Sequence, residues 1–565
     1  MSTHPPMSDF FSVVQLDYQE RVGSDSNGDL WPSAWADDGW LYTANGDGTG
    51  FGSWPVADLA VSRLTGDPAT GLSGERLASG RDVAPVWTDP ERFNSKPTGM
   101  VAVDGNRDGR DELYLAVQDL RMGDHPDVFA EAPAAGIVRS TDGGRTWASA
   151  GSPHFTDHRF TTVMFLDFGQ SNRHAETLGH QANDFVYAFG LDYNWRASTS
   201  GCVPDPTDLY LARVPADQIM DREAWRFYSG GRDSGTVEWT ANIDHKVPVL
   251  TDHRRHYRPT LLAAGAAANA DSPSRLGATY LAQGGVTYLP AFGRYLYTSF
   301  SEVSWIIYEA PAPWGPWREA LTQDFGFDRW DGPGSTLAKQ GGYAPTIPSR
   351  FLSEDCREAW VQSNWFWDAP TYGGDTYHFS LRRLRLERAP EEPGPGFGEL
   401  VPPHQPRAEA NLALRQAHPI GTTFRSGHPE VLNDGRIDRA EDSSTGSAKD
   451  FDYWGYTWAL PLRMNRLVYT TGPVDLTSGF FAAQPWVEFR RAGEWARAPG
   501  VACSPPYPDW FESTGHKVYT FTFDPVTTTG IRLAGRPHGF RLRYTAIAEL
   551  EVYWDTGAST ARDGV

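Results

Sequence analysis

Short runs of alternating apolar and polar residues, broken at close intervals by Gly, Pro, Asn and Asp, extend from one end of the chain to the other. Period-two alternation marks strands, and helical periodicity is scarce, so the pattern predicts an all-β protein. Four stretches share one seven-residue pattern that ends in an acid. They are Leu41-Tyr-Thr-Ala-Asn-Gly-Asp47, Leu113-Tyr-Leu-Ala-Val-Gln-Asp119, Val186-Tyr-Ala-Phe-Gly-Leu-Asp192 and Leu296-Tyr-Thr-Ser-Phe-Ser-Glu302. A fifth, Trp360-Val-Gln-Ser-Asn-Trp-Phe366, keeps the pattern without the acid. Each is aromatic or β-branched enough to be a strand. Equivalent strands around a closed ring would set Asp47, Asp119, Asp192 and Glu302 at one level near one mouth, where acids can hold a polar ligand or move protons.

Most copies follow a Gly- or Pro-bearing strand and a turn, as in Asp29-Leu-Trp-Pro-Ser-Ala-Trp35, Lys96-Pro-Thr-Gly-Met-Val-Ala-Val103 and Tyr343-Ala-Pro-Thr-Ile-Pro348. Most precede a further strand, such as Asp58-Leu-Ala-Val-Ser-Arg63 or Asp208-Leu-Tyr-Leu-Ala-Arg213. Five such sheet units predict a five-bladed β-propeller, which protects sheet edges by radial repetition. The units are spaced more widely than the ~40–50 residues of common propeller repeats. The excess is expected in long loops, where function usually resides.

The segment Glu387-Arg-Ala-Pro-Glu-Glu-Pro-Gly-Pro-Gly396 reads as a linker. Beyond it, Asn411-Leu-Ala-Leu414, the Asn433-Asp-Gly435 turn, a long strand pattern from Tyr519 and Ala546-Ile-Ala-Glu-Leu-Glu-Val-Tyr553 follow in order. This order resembles the discoidin, or coagulation-factor type C, fold, a jelly-roll β-sandwich of which many members bind sugars. The expected domains are a propeller over 1–388, a linker over 389–409, a discoidin-like carbohydrate-binding sandwich over 410–556 and a tail over 557–565.

Composition narrows the partners. With 565 residues and 40% hydrophobic content, two or three domains with substantial cores are expected. A formal net charge of −21 argues against nucleic acid and anionic membranes, because phosphate binding needs basic patches. A neutral, hydroxyl-rich ligand such as a carbohydrate suits it better. No apolar run is long enough to span a membrane, so no membrane insertion is expected. Three cysteines, Cys202, Cys356 and Cys503, form neither a metal spacing nor a disulfide framework. The first residues show no signal-peptide pattern, so the expectation is a cytoplasmic monomer, or a secreted one if the N-terminus was trimmed.

Two motifs carry structural expectations. Asp104-Gly-Asn106-Arg-Asp108-Gly109-Arg-Asp-Glu112 alternates oxygen ligands and has a Gly where a calcium loop bends. A structural Ca2+ on Asp104, Asn106, Asp108 and Glu112 is one reading, and a plain hairpin turn is the other. Ser140-Thr-Asp142-Gly-Gly144-Arg-Thr146-Trp147 matches the Asp-box of sialidases and other propellers, whose Asp and Ser hold turn amides while the Trp plugs the blade.

Asp29 and Asp47 are the sharpest pair of acids. Asp29 heads the first strand beside Trp31, and Asp47 ends the adjoining strand within Asn45-Gly-Asp-Gly48. A tight turn at Ala36-Asp-Asp-Gly39 makes the two strands antiparallel and brings both carboxylates to one mouth. Two carboxylates flanking one bond are what glycoside hydrolysis requires, one to donate a proton and one to activate water or attack. The bland alternative is that both cap turns.

These segments, together with Gly284-Gly-Val-Thr-Tyr-Leu-Pro290 and Ala310-Pro-Ala-Pro-Trp-Gly-Pro-Trp317, resemble the five-bladed propeller family that includes bacterial endo-D-arabinanases. The resemblance covers roughly residues 10–388. It implies catalytic roles for Asp29 and Asp47, and a furanoside-containing, D-arabinan-like poly- or oligosaccharide as substrate, with no catalytic cofactor. Trp31, Asn45, Lys96, Asp119, Asp192, Tyr288 and Glu302 are the expected substrate-binding residues. Arg196 is a further candidate to bind a substrate hydroxyl. The alternatives are a non-catalytic carbohydrate-binding propeller and a sialidase-like hydrolase using Tyr288 and Glu302.

Overall fold

The computed structural model describes residues 4–6, 8, 10–122, 129–198, 201–231, 237–256, 278–301, 304–324, 342–365, 377–389, 405–406, 410–414, 417–446, 448–474, 478–491, 494–508, 516–540 and 542–555. Glu302, most of the expected linker and the tail lie outside the described residues. The chain divides into two compact units. The first holds Met1–Ser8, Gln15–Leu321 and Phe325–Leu386, and the second holds Asp9–Val14, Thr322–Asp324 and Glu387–Val565. Both are built from strands, with short 3-10 turns between them. Among the described residues, no helix is long and apolar enough to cross a membrane.

In the first unit, Ser26–Asp29, Leu41–Phe51, Ala57–Asp67 and Gly71–Ser79 form one antiparallel sheet. Phe93–Val103, Glu112–Arg121, Ala134–Ser140 and Ala148–Ser149 form the next. Thr162–Asp167, Phe185–Leu191, Asp208–Pro215, Arg226–Gly230 and Glu238–Thr240 follow. Gly285–Leu289, Arg294–Phe300 and Ser304–Ala310 come next, joined to the preceding strands by parallel pairing of Leu166 with Val286. Glu358–Trp365 pairs with Tyr377–Arg388, and Thr346 bridges to Gln362. The described parts of all five seven-residue patterns therefore fall on, or run one residue past, the strand one step out from the first of each group. One cavity is lined by Ser33, Gly99, Phe165, Val286 and Ile347, one residue from each of the five leading segments.

The burial of these strands follows from their neighbours. Phe93–Val103 is buried along its whole length, as strands covered on both faces are. Tyr42, Tyr114, Tyr187 and Tyr297, the second residues of four patterns, are all buried. Phe51 of the first group and Phe379 of the last close on Trp31 with ring centroids 5.8 and 5.6 Å away. Ser24 Oγ donates to Phe379 O (2.7 Å), and Phe379 N donates to Ser26 Oγ (2.9 Å). The first and last groups are thus knitted together.

In the Ser140–Trp147 hairpin, Asp142 accepts hydrogen bonds from the amides of Arg145 and Thr146 and from the Thr146 hydroxyl (2.6 Å). Trp147 Nε1 donates to Gly144 O.

The second unit is an eight-stranded sheet wrapped around one hydrophobic core. Its long strands Asp452–Thr471 and Val518–Gly535 pair with each other over most of their length, with register shifts at Thr457/Leu462 and Met464/Arg466. Trp454, Tyr456, Tyr469, Phe521 and Ile531 fill the core. Asp452, wholly buried, is satisfied by Thr422, Ser443, Thr545 and Lys449.

Hydrogen bonds within its own turn hold the Asp104–Glu112 loop. Asp104 accepts from the amides of Asp108 (2.9 Å) and Gly109 (3.0 Å), and buried Glu112 accepts from Gly105 N (2.9 Å). Asn106 Nδ2 donates to Asp108. Oxygens of Asp104, Asp108 and Glu112 thus accept from amides of their own turn. Asp104→Ala is expected to lower stability by about 0.5–1.5 kcal/mol in urea melts, the net worth of a hydrogen bond whose amide water can then reach. The parent's melting midpoint is expected to be the same with and without a chelator, whereas a bound ion would make it fall on chelation.

Candidate functional site

The first sheet is irregular where its two acids lie. Asn27 pairs with Gly50 and Asp29 with Gly46, so Asp47, Gly48 and Thr49 stand opposite Gly28 alone. Extra residues on one strand make a bulge, and bulges re-aim side chains. Asp47 sits in it with φ +41°. Just past the end of the partner strand, Leu30 and Trp31 also have positive φ (72° and 52°). Each left-handed non-glycine residue costs roughly 1–2 kcal/mol. Burying the Trp31 indole offsets much of this, at roughly 4–6 kcal/mol for its apolar area. Its Nε1 also donates to Gly28 O (2.9 Å).

Asp29 ends its strand with its side chain buried. Its Oδ2 accepts from the Tyr343 hydroxyl at 2.5 Å, and its Oδ1 has no hydrogen-bond partner among the described residues. Gly46 leaves room for that oxygen: a Cβ there would stand 2.4 Å from Oδ1. Burial pushes the Asp29 carboxyl up to about 6, with the Lys96 charge opposing, the Asp47 charge adding, and the Tyr343 hydrogen bond opposing. An acid so placed holds its proton near neutral pH better than an ordinary carboxyl.

Asp47 is partly exposed, with a side-chain accessibility of 35%. Lys96, itself buried, pairs with it directly and also donates to Asp58 O at 3.3 Å. Lys96 thus lies beside both acids, from the fourth position of Phe93–Val103. Its ammonium is engaged by Asp47 and the Asp58 carbonyl.

Tyr343, at the head of the last leading segment, extends the cluster. Its ring packs against Trp195 (5.5 Å), Phe300 (6.0 Å) and Tyr377 (6.2 Å). The Tyr343 and Tyr377 hydroxyls are 3.0 Å apart. Burial and the Asp29 charge hold the Tyr343 phenol well above its ordinary value. The same two causes push Tyr377 up to about 12, with the Arg196 charge among the opposing effects. The Arg196 guanidinium lies 4.8 Å over the Trp195 ring.

Several expected ligand contacts fall elsewhere. Trp31 is fully buried among Phe51 and Phe379 and offers no face to a ligand. Asn45 is fully buried, donating to Gly46 O (3.2 Å) and filling the space that a side chain on Gly28 (φ +141°) would need. Asp119 and Asp192 are each engaged by protein groups. Asp119 accepts from Trp87 N (3.0 Å), Thr88 N (2.7 Å) and Thr88 Oγ1 (2.7 Å), stapling a loop. Asp192 accepts from Phe160 N (2.7 Å) and pairs with Lys246 (2.9 Å). Tyr288 packs on Tyr295 at 4.8 Å, and its hydroxyl bonds Thr177. It pairs across the sheet with Tyr295, at the end of that strand away from Phe300, which Glu302 follows in sequence.

Tyr343 and Tyr377 were not among the expected site residues. The available signal was positional: Tyr343 opens its segment as Asp29 and Lys96 open or nearly open theirs. An exposed aromatic, Trp54 (54% accessible), also lies on the turn after Phe51, beyond Asp47. Arg76 holds that turn through Pro55 O (2.7 Å) and Thr49 O (3.2 Å).

No protein-family model and no curated protein matches the chain. Among solved structures, it is similar to a protein of Bacteroides ovatus held to be a hydrolase, at 11% identity over 65% of this chain and 87% of that one, with a TM-score of 0.36. It is similar to a glycoside hydrolase family 43 arabinoxylan arabinofuranohydrolase of Bacillus subtilis, in complex with cellotetraose, at 9% identity over 94% and 96% of the two chains, with a TM-score of 0.34. A further likeness, at 17% identity over 25% of this chain and 95% of the other, with a TM-score of 0.20, is to the family 32 carbohydrate-binding module of Clostridium perfringens NanJ in complex with galactose.

Proposed function

We propose that the first unit is a five-bladed β-propeller glycoside hydrolase acting on a furanoside-containing, D-arabinan-like poly- or oligosaccharide. In the same reading, the second unit is a discoidin-like jelly-roll module that binds carbohydrate. One observation carries the catalytic part. Two neighbouring carboxylates have unlike environments, Asp29 buried with a raised pKa and Asp47 partly exposed and paired with Lys96. Environments that push two carboxyls apart assign acid and base.

In this reading Asp29 is the proton donor. Its proton passes to the glycosidic oxygen as the bond from that oxygen to the anomeric carbon breaks. Asp47 serves the other face of the sugar. It removes a proton from the water whose oxygen bonds to the anomeric carbon, or its own oxygen bonds there first and water later displaces it. The anomer of the first product separates these routes. Lys96 fixes the direction of Asp47, and the Leu30–Trp31 turn fixes that of Asp29.

The test is a panel of arabinans, fructans and galactofuranans with chromatographic analysis of products. Asp29→Asn and Asp47→Asn should each lower turnover at least ~100-fold, the lower range for general acid–base assistance. The rate should follow a bell in pH, with Asp29 governing the alkaline limb. Binding of a glycan without cleavage would turn the reading to a non-catalytic carbohydrate-binding protein.

A stability measurement separates Asp29 from a merely structural acid. Its folded pKa, about 6, lies above the ordinary 3.8. The folded state therefore binds more protons between these values, and the contribution of Asp29 to stability falls as pH rises through that window. Asp29→Asn should remove this fall and raise stability near pH 7 by about 1–3 kcal/mol in urea melts, even as it removes turnover.

Trp54 is expected to stack a sugar ring at the rim. Trp54→Ala should raise KM on polymer about 10-fold with kcat nearly unchanged, as loss of uniform binding does. An unchanged KM would remove it from the site.

A further inference from the structure

The Asp29 carboxyl has two oxygens in different situations. Oδ2 accepts a short hydrogen bond from Tyr343, and Oδ1 is buried without a partner among the described residues. A phenol has a single proton to give. The Tyr343 hydroxyl also lies in donating position to Tyr377 Oη at 3.0 Å, so Asp29 and Tyr377 compete for its one proton. Ring contacts from Trp195, Phe300 and Tyr377 hold Tyr343 in place.

We propose that Tyr343 is a positioning residue that fixes the orientation of the Asp29 carboxyl by holding Oδ2. Oδ1 is the oxygen for which Gly46 leaves room. Without the Tyr343 hydroxyl, the carboxyl is free to turn. The same hydrogen bond favours the charged form and so opposes burial. The groups that face Asp29 are Lys96, Asp47 and Tyr343, with Tyr377 and Arg196 one step behind.

The kinetic arm of this inference rests on the hydrolase reading, and the spectroscopic arm does not. Asp29 is titrated by isotope-edited infrared difference spectroscopy on 13C-aspartate-labelled protein, with Asp29→Asn identifying its band. In Tyr343→Phe the titration midpoint should move upward by about one pH unit, because a hydrogen bond to the charged form has been removed. Tyr377→Phe, which removes the competing acceptor of the Tyr343 proton, should move it less and downward, and serves if Tyr343→Phe fails to fold. On a cleaved glycan, Tyr343→Phe should lower kcat about 100-fold, the scale of a misplaced reacting group, with KM within about threefold and the alkaline limb moved upward. A rate loss equal at every pH, with the Asp29 midpoint unmoved, would overturn the positioning role while leaving the hydrolase reading intact. An upward midpoint in a protein that cleaves no glycan would uphold the positioning role and sink the hydrolase reading.

Discussion

The burial of Trp31 is the interaction on which the first unit depends. Its indole lies between Phe51 and Phe379, which belong to the first and last strand groups. It also holds Leu30 and Trp31 in a left-handed turn that an unsupported chain would abandon. One side chain therefore joins the ends of the strand succession and sets the direction in which Asp29 leaves its strand. Ser24 and Ser26 strengthen the same seam through the Phe379 backbone. The strain is local, and the packing that offsets it is shared by two sheets. A residue in contact with no ligand thus governs the position of one that is proposed to be catalytic.

The acids beside this seam divide their burden unequally. Asp29 gives up water and receives one hydrogen bond in return, so its charged form is disfavoured. Asp47 keeps part of its exposure and gains Lys96. Lys96 is buried, and a buried ammonium without a carboxylate would be costly. The ion pair and the carbonyl of Asp58 make its burial tolerable. The cluster combines one carboxyl inclined to keep its proton, one carboxylate held by a cation and one neutral phenol, a combination suited to moving a proton across a bond.

The strand order was largely legible from alternation. The five seven-residue patterns occupy matching strands because each needs apolar residues on both faces, and such residues stand out in sequence. The pairing of Asp29 with Asp47 at neighbouring backbone positions was legible too, since the Ala36–Gly39 turn makes the strands antiparallel. Asp119 and Asp192 were not legible as structural acids. They hold the same place in the pattern as Asp47, but their partners, Thr88 and Lys246, come from loops that the pattern does not describe. Trp31 misled for a related reason: an aromatic beside an acid reads the same whether it faces a sugar or a core.

The sequence by itself determined an all-β chain, the succession of its strands and two acids on adjoining strands, because periodicity, turn residues and sequence neighbours are local properties. Tertiary structure alone decided which acid is buried, that Lys96 serves Asp47, that Trp31 is core, and that Tyr343 closes on Asp29 from 314 positions away. Burial and pairing are set by groups distant in sequence, and desolvation by those groups, rather than residue type, is what raises the pKa of one of two aspartates.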